Sequence, residues 1–141
     1  MNIGKRKISA GSAFIVAELS ANHRQDYAVA EATLVAAHAA GADAVKLQTY
    51  TPDTITIDCD NEYFRMQYGL WAGKTLYQLY QEAYTPWDWY PSLKAKAAEL
   101  GIELFSSPFD HTAVDFLQAQ AVPAYKIASF EIFDIPLIKK A

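Results

Sequence analysis

The spacing of apolar residues changes several times along this chain, and each change marks an element. Residues 13–17 (AFIVA) form a short continuous apolar run rich in β-branched and aromatic side chains, which predicts a strand. The alanine-rich stretch that follows predicts a helix, with Asp26 as N-cap and Gly41 as its stop signal. Residues 44–50 (AVKLQTY) read as a second strand. Residues 51–73 are polar and aromatic with no clean period, so they read as a loop with room for a helical turn. Residues 74–84 predict a helix. In 85–101, Thr85 stands as N-cap, Pro86 at the first helical position and Asp88 three residues after the cap. Trp89, Leu93, Ala97 and Leu100 then share one helical face, Pro91 falls early, and Gly101 ends the run. Residues 102–107 (IELFSS) predict a third strand. Asp110 caps the next helix, with Val114, Leu117 and Ala121 on one face. Residues 123–129 (PAYKIAS) predict a fourth strand, and another helix starts near Asp134.

Strands alternating with helices imply parallel strands joined by crossover helices. The nearly all-apolar strands fit a sheet covered on both faces. A doubly wound sheet and a (β/α) barrel both satisfy this pattern. No GxGxxG or GxxxxGK[ST] follows any strand, which weakens dinucleotide and P-loop readings.

Composition narrows the function classes. The 141 residues are 52% hydrophobic and 20% charged, as expected for one globular domain. A net charge of −4 argues against nucleic acid or an anionic membrane as partner, though a local anion site can oppose it. Cys59 is the single cysteine, so no internal disulfide framework exists. No apolar run approaches the roughly 20 residues of a membrane helix, and the apolar run near the N-terminus is too short for a signal core. The expectation is a soluble cytoplasmic protein.

Ligands of parallel α/β folds meet the carboxyl ends of the strands. Here those ends read AELSANH, KLQTY, FSSPFD and KIASFE, and all four carry polar side chains. Two of the strands also carry a lysine, Lys46 and Lys126. Alternation puts Lys46 with Gln48 and Lys126 with Ala128. A single strand lysine most simply snorkels to solvent or pairs with an acid such as Glu18 or Glu131. Two at matched positions, beside Ser106, Ser107 and Ser129, point to an anion held between them. Glu18 is either the partner of such a lysine or a group that assists proton transfer. His23 lies in a loop, where solvation is the usual fate, and His38 and His111 read as structural. Among the aromatics of 63–90, Trp71 is the best candidate for a sugar wall, because its loop follows the second strand.

Five separated stretches, FIVAELSANH, GADAVKLQTY, LYQLYQEAYTPWDWY, LGIELFSSPFD and VPAYKIASFEIFDIPLI, occur together and in order. In this they resemble the sialic acid synthase family, and within it the pseudaminic branch. The resemblance implies a (β/α)8 TIM barrel that condenses phosphoenolpyruvate with a 2,4-diacetamido-2,4,6-trideoxy hexose and releases phosphate. An N-acetylneuraminate or legionaminate synthase, or a non-catalytic half-barrel, is the alternative. By family motif, Lys46, Ser107, Lys126 and Ser129 would bind phosphoenolpyruvate. Glu18, as the candidate catalytic residue, and Gln48 would face the sugar. The family also implies a divalent metal, Mn or Mg, on histidines of later strands, and a homodimer in the full-length enzyme. The sequence carries about four βα units. The expectation is therefore one domain over 1–141, the N-terminal half of a barrel. The barrel's C-terminal half, the antifreeze-like domain and the metal ligands would lie outside it, and this chain alone would be inactive.

Overall fold

The computed structural model describes residues 2–141. A small antiparallel hairpin, β1 (Asn2–Ile3) and β2 (Arg6–Lys7), precedes a parallel sheet of three strands. These are β3 (Val16–Glu18), β4 (Ala44–Thr49) and β5 (Glu103–Pro108), in the order β3-β4-β5. Helix α1 (Tyr27–Ala39) crosses from β3 to β4. Between β4 and β5 lie the short α2 (Pro52–Ile55), α3 (Leu76–Ala83) and α4 (Tyr90–Leu100). Helices α5 (His111–Ala119) and α6 (Ile135–Lys140) follow. No described helix is long and apolar enough to cross a membrane.

Local chemistry sets most of these boundaries. The Asp26 carboxylate accepts from the Ala28 N–H at 2.8 Å and starts α1. Asp110 accepts from Thr112 and Ala113 and starts α5, and Asp134 accepts from Leu137 and starts α6. Gly101, at φ 75°, ends α4 in the left-handed region that costs glycine little. Thr75 and Gln78 form a reciprocal capping box on α3.

Four expectations need correction. The helix predicted to start after Thr85 opens instead as a 3-10 turn, Trp87–Trp89, and becomes α-helical only at Tyr90. An α-helix begun at Pro86 would drive the Pro91 ring into the carbonyl four residues back, so Pro91 must fall in the first turn. Ala121 lies beyond α5, exposed and at φ 48°, rather than on its buried face. The fourth strand is reduced to one parallel bridge, Tyr125 to Ser106, with the Lys126 N–H donating to the Ser106 carbonyl at 3.1 Å. Residues 129–133 then turn into a 3-10 helix. This stretch has a neighbour on one side only and opens on Pro123, which has no N–H to give a ladder. The first strand is also shorter and later than the apolar run, and Ile15 and Val16 stand exposed at that edge.

The two faces of the sheet differ. Val45, Leu47 and Leu104 pack with Ala30, Leu34, Leu93 and Leu117 of the covering helices. On the opposite face, Ala44 and Phe105 pack with Ile3 of the hairpin, joined by Ile8, Phe14 and Ala124. That second face is mostly apolar toward the end where the strands begin, with the Glu103 carboxylate there accepting from the Lys5 N–H at 2.8 Å.

Candidate functional site

Toward the carboxyl ends of the strands, the face that carries Ala44 and Phe105 turns polar. Parallel register sets Glu18 beside Lys46, Lys46 beside Phe105, and Gln48 beside Ser107. These side chains share one face, because alternation gives every second residue the same side. Tyr125 pairs with Ser106 and packs on the helix side. Its neighbours Ala124 and Lys126 therefore fall on the opposite side, with Lys46 and Gln48. The register between strands thus brings both lysines to one face.

Their surroundings differ. Lys46 is buried and forms an ion pair with Glu18, whose side chain is 40% exposed. Lys126 lies half-buried in a cavity of about 470 Å³ that Gln48, Ser129, Tyr50, Tyr80 and Glu131 also line. Ser107 is buried, and its hydroxyl has no hydrogen-bond partner in the protein. Ser106, by contrast, is on the helix side and engaged with the Thr49 hydroxyl at 2.7 Å, so it is not available to an anion in the cavity. Of the sequence-predicted residues, Gln48, Lys126 and Ser129 meet in the cavity, Ser107 stands beside Gln48 in register, and Glu18 and Lys46 meet each other.

Glu131 is the residue that sequence reasoning undervalued, having named it only as a pairing acid. One of its carboxylate oxygens is buried with no hydrogen-bond partner. Burial pushes its carboxyl above the usual range, and Lys126 pulls the other way. Its position two residues past Ser129, where the strand run ends, was the available signal. Burial, with Glu131 second, also raises the Tyr80 phenol. The cavity therefore holds one ammonium, one carboxyl whose pKa burial raises, and several hydroxyl and amide donors. Such a set can bind an anion and exchange a proton beside it.

The loop after β3 departs from expectation. His23 is fully buried, not solvated. Its Nδ1 accepts from the Gln25 N–H at 3.0 Å, so the proton sits on Nε2, which donates to the Thr85 hydroxyl at 3.0 Å. Trp89 meets the ring edge-on, and burial lowers the imidazole pKa. Thr85 thus anchors His23 instead of capping a helix. Ser20, Arg24 and Gln25 all take positive φ, near 50–55°. That turn lets the Gln25 amide reach the Gln81 and Tyr84 carbonyls at the end of α3. Both ring nitrogens of His23 are engaged, and among the described residues no three His, Cys, Asp or Glu side chains cluster as metal ligands. The residues present do not fit the implied metal.

The same loop forms one wall of a second cleft of about 830 Å³, with Asn22, Arg24 and Gln25 facing Trp71, Lys74 and Glu82. Trp71 is half-buried, with the Lys74 ammonium 5.2 Å from its ring centroid. The aromatic residue singled out from the loop after the second strand therefore does line a polar cleft.

The NeuB family matches residues 33–141. The chain is 50% identical over 127 residues to the pseudaminic acid synthase of Helicobacter pylori, covering 90% of this chain and 37% of that protein. It is 32% identical to the N,N'-diacetyllegionaminic acid synthase of Legionella pneumophila, covering 96% and 38%. Among solved structures, the spore coat polysaccharide biosynthesis protein spsE of Bacillus subtilis superposes with a TM-score of 0.75 at 29% identity, over 99% of this chain and 36% of that one. The chain spans little more than a third of the length of these relatives, and its fold is part of a sialic acid synthase-type barrel.

Proposed function

The chain belongs to the NeuB family, and from that premise we propose that it contributes the phosphoenolpyruvate-binding half of a nonulosonic acid synthase, with a 2,4-diacetamido-2,4,6-trideoxy hexose as the second substrate. The observation that carries this reading is the polar patch on one sheet face, where Lys126, Gln48 and Ser129 line a cavity and the buried Ser107 hydroxyl lacks a partner. A buried, unpartnered hydroxyl beside a lysine suits a phosphorylated or carboxylated ligand, since leaving it unsatisfied is costly.

In this reading Lys126, Ser107 and Ser129 hold the phosphate and carboxylate of phosphoenolpyruvate. Lys46, paired with Glu18, adds positive charge to the same face while its carboxylate partner faces the reacting carbons. Gln48 orients the sugar. The enol carbon of phosphoenolpyruvate forms a bond to the aldehyde carbon of the open-chain sugar. Water adds at the phosphate-bearing carbon, and phosphate leaves as that C–O bond breaks. In this reading Glu18 and Glu131 move the protons that this sequence requires. Trp71 walls the sugar side. The 50% identity to a pseudaminic acid synthase supports the choice of sugar.

The test is phosphate release by the intact gene product given phosphoenolpyruvate and each sugar in turn. Release with the trideoxy sugar is expected. Release only with N-acetylmannosamine would replace the sugar and keep the class. No release with any amino sugar would remove the class itself.

A further inference from the structure

The loop that carries Trp71 is closed by backbone hydrogen bonds at its base and again at its tip, where the Ala72 N–H donates to the Gly69 carbonyl at 3.2 Å. The Met66 N–H donates to the Lys74 carbonyl at 2.9 Å, and the Gly73 N–H donates to the Met66 carbonyl at 2.9 Å. Between Gly69 and Gly73, both at positive φ, the tip holds Leu70, which is almost fully exposed, and Trp71. Trp87 and Trp89 are each packed against other rings, but Trp71 is in no such aromatic pair among the described residues. What lies on its face is the Lys74 ammonium, 5.2 Å from the ring centroid. That ammonium is itself held 2.5 Å from both carboxylate oxygens of Glu82 on α3.

We propose that the Lys74–Glu82 ion pair is a positioning device that sets sugar affinity by holding the Trp71 indole as the wall of its cleft. The inference rests on the reading of that cleft as the sugar side. With no aromatic partner among the described residues, the orientation of the indole depends on what else holds its ring. A cation on one ring face, itself fixed by a carboxylate, leaves the opposite face and edge for a ligand. Both partners are partly exposed, so the pair contributes little to folding. Its effect falls on where the ring stands. Neither residue lines the cavity that holds Lys126, so phosphoenolpyruvate binding is independent of the pair.

Glu82→Gln and Lys74→Met, made in the intact gene product, test this. Each is expected to raise the KM for the sugar about tenfold, with kcat, the KM for phosphoenolpyruvate and the melting temperature unchanged. Lys74→Arg, which keeps a cation that can sit on the ring and meet Glu82, is expected to restore the sugar KM. An unchanged sugar KM in Glu82→Gln overturns the inference, as does an equal rise in both KM values. Trp71→Ala separates this failure from failure of the underlying reading. If Trp71→Ala raises the sugar KM and Glu82→Gln does not, only the positioning role is lost. If Trp71→Ala leaves the sugar KM unchanged, the cleft does not bind sugar and the positioning role falls with it.

Discussion

The turn after β3 and the segment after Tyr125 both follow a strand position of the same sheet, and both carry buried polar groups. They handle them in opposite ways. In the first, both nitrogens of His23 are bonded and the Gln25 amide reaches two carbonyls. In the second, Lys126 and Ser129 line an open cavity and a buried oxygen of Glu131 has no partner. Groups whose bonds close inside the protein hold the scaffold. Groups left open beside a cavity remain free to meet a ligand. Residue type does not separate the two, since a histidine is usually read as chemistry and a strand lysine as surface.

Substitutions in the two regions should therefore fail in different ways. His23→Ala removes a ring that is fully buried, two hydrogen bonds and an edge contact with Trp89. It should cost about 3 kcal/mol of stability, measured by urea denaturation, through the cavity it leaves and the Thr85 hydroxyl it orphans. A loss under about 0.5 kcal/mol would erase the contrast, because that is the range of ordinary surface substitutions. Lys126→Met should leave stability nearly unchanged and raise the phosphoenolpyruvate requirement about 30-fold, which corresponds to about 2 kcal/mol for a charge-assisted contact. Unchanged phosphoenolpyruvate binding would remove Lys126 from the site.

The elements whose ends are written in local chemistry were legible in the sequence. Asp26 and Asp110 cap helices as expected, the last helix starts at Asp134 as expected, and Gly101 ends one. The parallel arrangement followed from the alternation of strands and helices, whereas alternation within a strand placed Lys46 with Gln48 and Lys126 with Ala128 and left the sharing of one face to the register between strands. What could not be read was decided between distant segments. The partner of Thr85 is His23, 62 residues away, and no local pattern announces it. The fourth strand has the composition of a strand, but pairing depends on neighbours, and residues 123–129 have β5 on one side only. Within the site, the pairing of Lys46 with Glu18 was one of the options that residue types allowed. The unpartnered oxygen of Glu131 was not, because hydrogen-bond satisfaction is a property of the packed chain.

Acid should also separate the two regions. Burial lowers the His23 pKa below its ordinary value of 6.5, so the unfolded chain takes up a proton that the folded chain resists. The stability linked to His23 is then complete above that value and is lost as pH falls below it. Thermal melts from pH 7.5 to 5 should show a decline that His23→Gln flattens, and a wild-type profile that stays level would show the ring to be accessible. Glu131 runs the other way and gives the smallest effect. Burial raises its carboxyl, so its linked stability is present at low pH and is lost as pH rises through the raised value. Glu131→Gln removes the ionisation and should stabilise the protein slightly at pH 8 with no gain at pH 4. A gain of equal size at both pH values would mean that the effect comes from packing rather than from the buried charge, and Glu131 would then belong with the closed groups of the β3 turn.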